Sequence, residues 1–354
     1  MLRPLAGLRV LDLSRILAGP FATQLLADLG AEIWKIEPPG GDPTRSWGPP
    51  FEDEAQGDSA YFRCANRGKR NRALDLHAPE DRSQLEGLMA QADVLVENFL
   101  PETADRLHLS WESIHGRHPS LIVASVRGFA SDVTACRRAG YDFIIQAEAG
   151  WMALAGEPAG APMRTPVALV DVITALYLAN GIQAAVRHRE HGGGAMHVEV
   201  PLMEAALAAM VNAAASTLMT GVAPERLGNA HPSIVPYQTF TLADGEVALG
   251  VGSDRQFEML ALWLGLDLEA EAGWRTNAGR VRDRARLVPE LQGRLLPRVT
   301  QELITFCEAH AIPASRVRAL DEVLFRQAGH LHHLIQPLLE PQSGQMVPVL
   351  ATPI

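Results

Sequence analysis

Cysteine is scarce. Cys64, Cys136 and Cys307 lie far apart with no CxxC spacing, which excludes a zinc-finger pattern and a disulfide framework. That usage suits a reducing compartment. The opening MLRPLAGLRVLDL lacks the long apolar core and small-residue cleavage site of a signal peptide, so a cytoplasmic location is the expectation. Positive charge is in deficit as well: the net charge of −10 over 354 residues argues against nucleic acid as a partner, although a local basic cluster can still meet a small anion. Long runs of Leu and Phe are missing. The apolar stretches 166–186 and 203–222 are Ala-rich and interrupted by Asp171, Asn180 and Gln183, and by Glu204, Asn212 and Ser216. They read as buried helices rather than membrane spans. No GxGxxG follows the first strand, so the dinucleotide fingerprint is absent.

What is present is an ordered α/β pattern. LRVLDLS (8–14) reads as a strand. GPFATQLLADLG (19–30) reads as a helix with Pro20 near its start and Gly30 as its stop, and AEIWKIE (31–37) as a second strand. Strand, helix and strand in about thirty residues predict a βαβ unit with a parallel sheet. The pattern continues through strand 70–76, helix 79–92, strand 93–99, short helices over 101–117 and strand 120–129. Next come a helix near 140–149, a helix to about His191, a strand at 195–201 and one long Ala-rich helix at 202–220. Beyond 226 the texture changes. VPYQTFTLADGEVALGVG (235–252) is a hairpin signal, followed by helices at 254–265, 283–296 and 299–310 and a strand in IPASRVRAL. The expectation is a Rossmann-like large domain over 1–200, a linker helix over 201–225, a smaller α+β domain over 226–330, and a return linker or edge segment over 331–354.

The chemistry-bearing residues each have a bland reading. The turn DLSRILAGP presents backbone N–H groups at a helix N-terminus, which suits an anion, and Arg15 sits on it. NRGKRNR (66–72) is either a solvated face or a phosphate clamp. VENF (96–99) offers an amide and an aromatic at a strand end, which can cap and pack or can hold and stack on a base. RRAGYDF (137–143) brings Arg137, Arg138 and Tyr141, with Asp142 read as a helix cap. Asp171 stands out most. It is the one charged side chain in TPVALVDVITALYLANGI (165–182), where a carboxylate costs several kcal/mol unless paired or hydrogen-bonded. It is either an N-cap or a nucleophile at the positive end of a helix.

Taken in order, these stretches resemble the class III (CaiB/BaiF-type) CoA-transferases, the family of the formyl-CoA:oxalate and carnitine-related enzymes, with relatives among the 2-methylacyl-CoA racemases. The likeness runs from LAGLRVLDLSRILAGPFATQLLADLGAEIWKIEPPGGDPTR through NRGKRNRALDL, ADVLVENFLPETADRL, AGYDFIIQAEAGWM and the Asp171 region to VPYQTFTLADGEVALGVGSDRQF. The resemblance implies transfer of CoA from an acyl-CoA to a free carboxylic acid, with Asp171 as covalent nucleophile through aspartyl anhydride and aspartyl-CoA thioester intermediates. It implies coenzyme A as substrate, no permanently bound cofactor and no metal. Contacts to CoA fall on Arg15, Ile16 and Ala18, on Lys69 and Arg70, on Asn98 and Phe99, on Arg106, on Arg137 or Arg138, and on Tyr141. An interlocked homodimer is expected on the same ground.

Three departures qualify the likeness. Related racemases carry histidine where Tyr141 stands, and a phenol, with an ordinary pKa of about 10, is a poor proton shuttle at neutral pH. A glycine-rich covering loop is not evident, GVGSD (250–254) being the nearest candidate. The chain ends at ATPI, earlier than family members usually do. A 2-methylacyl-CoA racemase or epimerase and a non-catalytic acyl-CoA-binding protein stay open as alternatives. Arg164 or His231 is a candidate for the second carboxylate of a dicarboxylic substrate.

Overall fold

The computed structural model describes residues 3–52, 57–130, 134–326, 334–339 and 346–353. They divide into two compact units. One comprises 1–152, 164–224 and 332–354; the other comprises 153–163 and 225–331. The Ala-rich helices after residue 201 thus belong to the larger unit, and so does the C-terminal stretch.

The larger unit is built on a six-stranded sheet of β1 (Arg9–Asp12), β2 (Glu32–Glu37), β3 (Arg70–Ala73), β4 (Val94–Glu97), β5 (Ile122–Arg127) and β6 (His197–Pro201). All pairings are parallel and the spatial order is β3-β2-β1-β4-β5-β6. A parallel sheet needs crossovers that cover both faces, which is why its strands read as apolar runs. Val10, Val94, Val96 and Ile122 face one layer, where α1 (Ala18–Asp28) contributes Ala22 and Leu26 and α8 (Leu169–Glu190) contributes Val170, Leu178 and Ile182. The alternate residues Leu11, Leu13, Leu95 and Val123 face the other, against α3 (Pro79–Met89) and α5 (Trp111–Arg117). The strand order reverses between β1 and β4, so the crevice beyond their C-terminal ends is where a doubly wound sheet takes its ligand.

Four elements differ from the sequence expectation. α2 (Ala60–Asn66) is an additional helix, started by Ser59, whose hydroxyl accepts from the Phe62 N–H at 3.0 Å. The helix expected over 202–220 is two, α9 (Leu202–Ala209) and α10 (Val211–Thr220), bent by 80°. The bend is made by Val211 at φ 36°, with no Gly or Pro to announce it. The strand expected in IPASRVRAL is short, confined to Ala314–Arg316. Residues 335–339 and 346–350 pair as an antiparallel hairpin. Among the described residues α8 is long and apolar enough to cross a bilayer, and the bent pair α9–α10 passes the same criterion; α8 packs against α1, α9 and the sheet.

The smaller unit carries the expected hairpin, Tyr237–Leu242 with Gly245–Gly250, extended by Ala314–Arg316 into a three-stranded antiparallel sheet. Its own core includes Phe240, Val247, Phe257, Leu260, Leu287, Leu291 and Leu303.

Candidate active site

The turn between β1 and α1 is locked from both sides. The Arg15 N–H donates to Asn98 Oδ1 at 3.0 Å, and Asn98 Nδ2 donates back to the Arg15 carbonyl at 2.9 Å. The segment after β4 is thereby tied to the segment after β1 across the point where the strand order reverses. Ile16 sits in this turn at φ 71°, a conformation a β-branched residue adopts only where its surroundings impose it. Beneath the turn lies a buried polar network. Asp12 accepts from Ser14 Oγ (2.5 Å), Thr23 Oγ1 (2.6 Å) and Lys69 Nζ (3.0 Å). Lys69 spends its other donors on the Pro20 carbonyl and Asn66 Oδ1. Lys35 donates to the Ser14 carbonyl and pairs with Asp42 at 3.1 Å. Burial would raise the Asp12 carboxyl, but Lys69, Lys35 and the two hydroxyls hold it down at about 2.

Above this floor opens a cavity of about 380 Å3, walled by Arg15, Ile16 and Ala18, by Asn98 and Phe99, and by Arg127, Gly140, Tyr141 and Asp171. A second cavity of about 230 Å3 adjoins it, sharing Arg15, Phe99 and Thr103 and reaching Arg106. The Arg15 guanidinium lies 5.5 Å from the Phe99 ring centroid, and its buried Nε has no hydrogen-bond partner among the described residues. Gly128 and Gly140 touch in the wall: a Cβ on either would lie 2.8 or 2.4 Å from the other's Cα. Only glycines permit that approach. Arg127 is clamped by Glu97 through two hydrogen bonds of 2.7 and 3.1 Å.

Asp171 occupies the third position of α8, not its cap; the cap residue is Ala168. The residue is 9% exposed, and among the described residues its carboxylate has no hydrogen-bond partner. The cap is supplied from elsewhere in the chain. Asp142, at the start of α6 (Asp142–Glu148), accepts from the N–H groups of Val170 (2.8 Å) and Asp171 (3.2 Å). Its other oxygen accepts from Gln146 Nε2 at 2.5 Å, and Gln146 Oε1 accepts from the Thr165 N–H at 2.9 Å. Burial, helped by the neighbouring Asp142 charge, pushes the Asp171 carboxyl up to about 7. Tyr61 of α2 also senses the pair: burial, then Asp171, the Cys64 thiol and Asp142, push its phenol up to about 12. Its ring meets Trp47 edge-on at 5.3 Å. A cavity at a sheet's switch point, with a buried, unpaired carboxylate in its wall, can host acyl chemistry on that carboxylate.

The model of the CoA-transferase family III matches residues 5–354. The chain belongs to this family. It is 38% identical to succinate–glutarate CoA-transferase of Agrobacterium fabrum over 99% of this chain and 89% of that protein. It is 37% identical to mouse succinyl-CoA:glutarate CoA-transferase, over 98% and 79%. A CaiB/BaiF family protein from Brucella suis has a similar structure, with TM-score 0.87, 38% identity and coverage of 100% and 93%. This chain is therefore a class III CoA-transferase, acting on CoA thioesters.

In this transferase the residues singled out from sequence do not all lie together. Arg15, Ile16, Ala18, Asn98, Phe99, Tyr141 and Asp171 line the larger cavity, and Arg106 lines the smaller. Lys69 lies under the turn with its three donors engaged inside the protein. Arg70, on the edge strand β3, is exposed and paired with Glu32 at 2.5 Å. Arg137 pairs with Glu102 (3.1 Å) and Arg138 with Glu148 (2.7 Å), both exposed. Arg164 is exposed just ahead of Thr165, and His231 belongs to the smaller unit, where Nδ1 accepts from the Ser233 N–H. Sequence reasoning missed Tyr61, Arg127 and the link from Asp142 to α8. A Ser-capped helix at 60–66 was the available signal for Tyr61; nothing local marks the other two. Among the described residues no group of His, Cys, Asp or Glu is arranged to hold a metal ion.

Proposed function

We propose that this chain moves CoA between a dicarboxylic acyl-CoA and a free carboxylic acid, with Asp171 as the covalent nucleophile. The observation that carries the reading is the unpaired Asp171 carboxylate, set in the wall of the switch-point cavity at the first turn of a long helix. An oxygen of ionised Asp171 attacks the thioester carbonyl, the C–S bond breaks, and CoA leaves as thiolate. The thiolate then attacks the aspartyl carbonyl of the anhydride, forming aspartyl-CoA and releasing the donor acid as carboxylate. The acceptor carboxylate displaces thiolate from aspartyl-CoA to form a second anhydride. Attack of thiolate on the acceptor's carbonyl yields the new acyl-CoA and restores Asp171. The route divides one difficult exchange into acyl substitutions, of carboxylate on thioester and of thiolate on anhydride, each easier than direct transfer.

The nucleotide portion of CoA follows the crevice. Arg15, with its unpartnered Nε, and Arg106 are placed to meet phosphates, while Phe99 offers a face for stacking. Lys69 serves this site from behind by shaping the turn, and Asn98, in the cavity wall, ties the same turn down. Arg70, Arg137 and Arg138, each exposed and paired with a surface carboxylate, are left out of this reading. Dicarboxylic substrates are favoured by the two relatives named above, and Arg164 is the candidate for the distal carboxylate; a shift of preference toward monoacids in Arg164→Ala supports that role, and unchanged preference removes it.

A second copy of the chain completes the molecule in this reading. Phe143 and Ile144 on α6, Leu176 and Tyr177 on α8, and Leu218 and Met219 on α10 are exposed, and apolar side chains of this kind are what a partner surface would cover.

The test is isotopic. Each turnover should move one oxygen from the acceptor acid to Asp171 and one from Asp171 to the departing donor acid. With an 18O-labelled acceptor, label should enter Asp171 and then the released donor acid. Unlabelled Asp171 after many turnovers would refute the covalent route.

A further inference from the structure

The reaction assigns Asp171 an attacking role but leaves the second carboxylate beside it unused. Asp142 is buried, is not a metal ligand, and spends both oxygens within the protein: one on the backbone N–H groups of Val170 and Asp171, the other on Gln146. Gln146 is itself fixed by the Thr165 N–H, in the segment that leads into α8. A helix ordinarily takes its cap from the residue just ahead of it. Here that residue is Ala168, which cannot cap, and the acceptor for the Val170 N–H comes from a carboxylate 28 residues before Val170 in the chain. A neutral Ser, Thr or Asn at 168 would close the helix equally well. The arrangement instead places a fixed negative charge against the turn that carries the nucleophile.

We propose that Asp142 is a positioning residue for CoA transfer: it holds the first turn of α8 so that Asp171 faces the cavity, and its charge, added to the effect of burial, shifts the pH range in which Asp171 attacks. The inference rests on the assignment of Asp171 as nucleophile. Other groups face Asp171 from the surrounding elements. Tyr61 lies on α2, Arg15 on the turn after β1, Arg127 at the end of β5, and Tyr141 just before α6. Glu199 on β6 lies against Arg127 at 4.0 Å. Glu204 on α9 is exposed, and the charged ends of α1 (Asp28) and α8 (Arg187, His188, Arg189) are remote from this turn. Among the described acidic groups, Asp142 alone is bonded to the backbone of Asp171. Its charge opposes a second charge forming beside it, so Asp171 stays protonated to higher pH and becomes a stronger nucleophile once ionised.

Asp142→Asn keeps an oxygen for the helix N–H groups and removes the charge. The expected result is a fall of the acid limb of kcat/KM by roughly one pH unit or more, with kcat at high pH reduced several-fold and KM for the acyl-CoA little changed. The pH dependence of adduct formation on Asp171, read by hydroxylamine trapping, should move in parallel. Asp142→Ser, which also offers an oxygen, is read the same way if the Asn variant does not fold. An acid limb unmoved in a folded variant overturns the proposal, and failure of both variants to fold overturns it in favour of a purely structural role. If the unsubstituted protein gives no adduct on Asp171, it is the nucleophile assignment that fails, which separates the two claims.

Discussion

Ionised, Asp171 costs the fold stability and, in the proposed reaction, supplies the nucleophile, and pH separates the two effects. Its carboxyl, pushed up to about 7 from 3.8, holds its proton in the fold where the unfolded chain has lost it. Between about pH 4 and pH 7 the folded state binds more protons, so stability falls as pH rises through that window; above it the cost is constant. Asp171→Asn should therefore be more stable by roughly 2–4 kcal/mol at pH 8 and indistinguishable near pH 4, as urea denaturation at the two pH values will show. The same variant should lose turnover by about a thousandfold or more. In the unsubstituted enzyme kcat/KM should rise with pH through about 7. Asp171 was legible in the sequence because a lone carboxylate in an apolar run violates the cost of burial. Asp142 was not: its partners lie 28 and 29 residues away, and locally it looks like any acidic residue opening a helix.

At the scale of elements, the turn after β1 depends on charges buried beneath it. Lys69 is 7% exposed and its ammonium is bonded to Asp12. Burial, against the pull of Asp12, pushes Lys69 down to about 8, so both partners are charged at neutral pH. Lys69→Met should destabilise the protein by roughly 3–5 kcal/mol, because it strands a buried carboxylate, and should raise KM for acyl-CoA as the turn loosens. Asp12, held at about 2, contributes stability that is present above about pH 4 and is lost as pH falls toward 2. In the variant, which lacks the Lys69 charge, that contribution is smaller, so stability should fall less between about pH 4 and pH 2, visible in urea denaturation at the two pH values. The βαβ run was readable from alternating branched residues, Pro20 and Gly30. The basic run 66–72 was not resolvable into roles, since Lys69, just ahead of β3, turns inward to Asp12 while Arg70 on the edge strand points outward, and charge alone does not record direction. The break between α9 and α10 was hidden for a similar reason: a strained Val211 makes it, with no residue that prefers the conformation.

For the whole molecule, the parallel sheet and the antiparallel hairpin of the smaller unit followed from period and turn chemistry, whereas the apolar face of α6, α8 and α10 gave no sign of being left outside. Leu218 and Met219 are each 87% exposed. We expect a dimer in sedimentation velocity, and a shift toward monomer in the double variant Leu218→Glu, Met219→Glu; an unsubstituted chain that sediments as a monomer would contradict the second-copy reading. The central claim is the covalent one, and one measurement meets it directly. The protein is incubated with succinyl-CoA, glutaryl-CoA or acetyl-CoA, quenched with hydroxylamine, and the modified peptide mapped by mass spectrometry. A hydroxamate on Asp171 is expected, strongest with the dicarboxylic esters and absent in Asp171→Asn. Turnover of the same esters with no adduct on Asp171, or an adduct on another carboxylate, would contradict it.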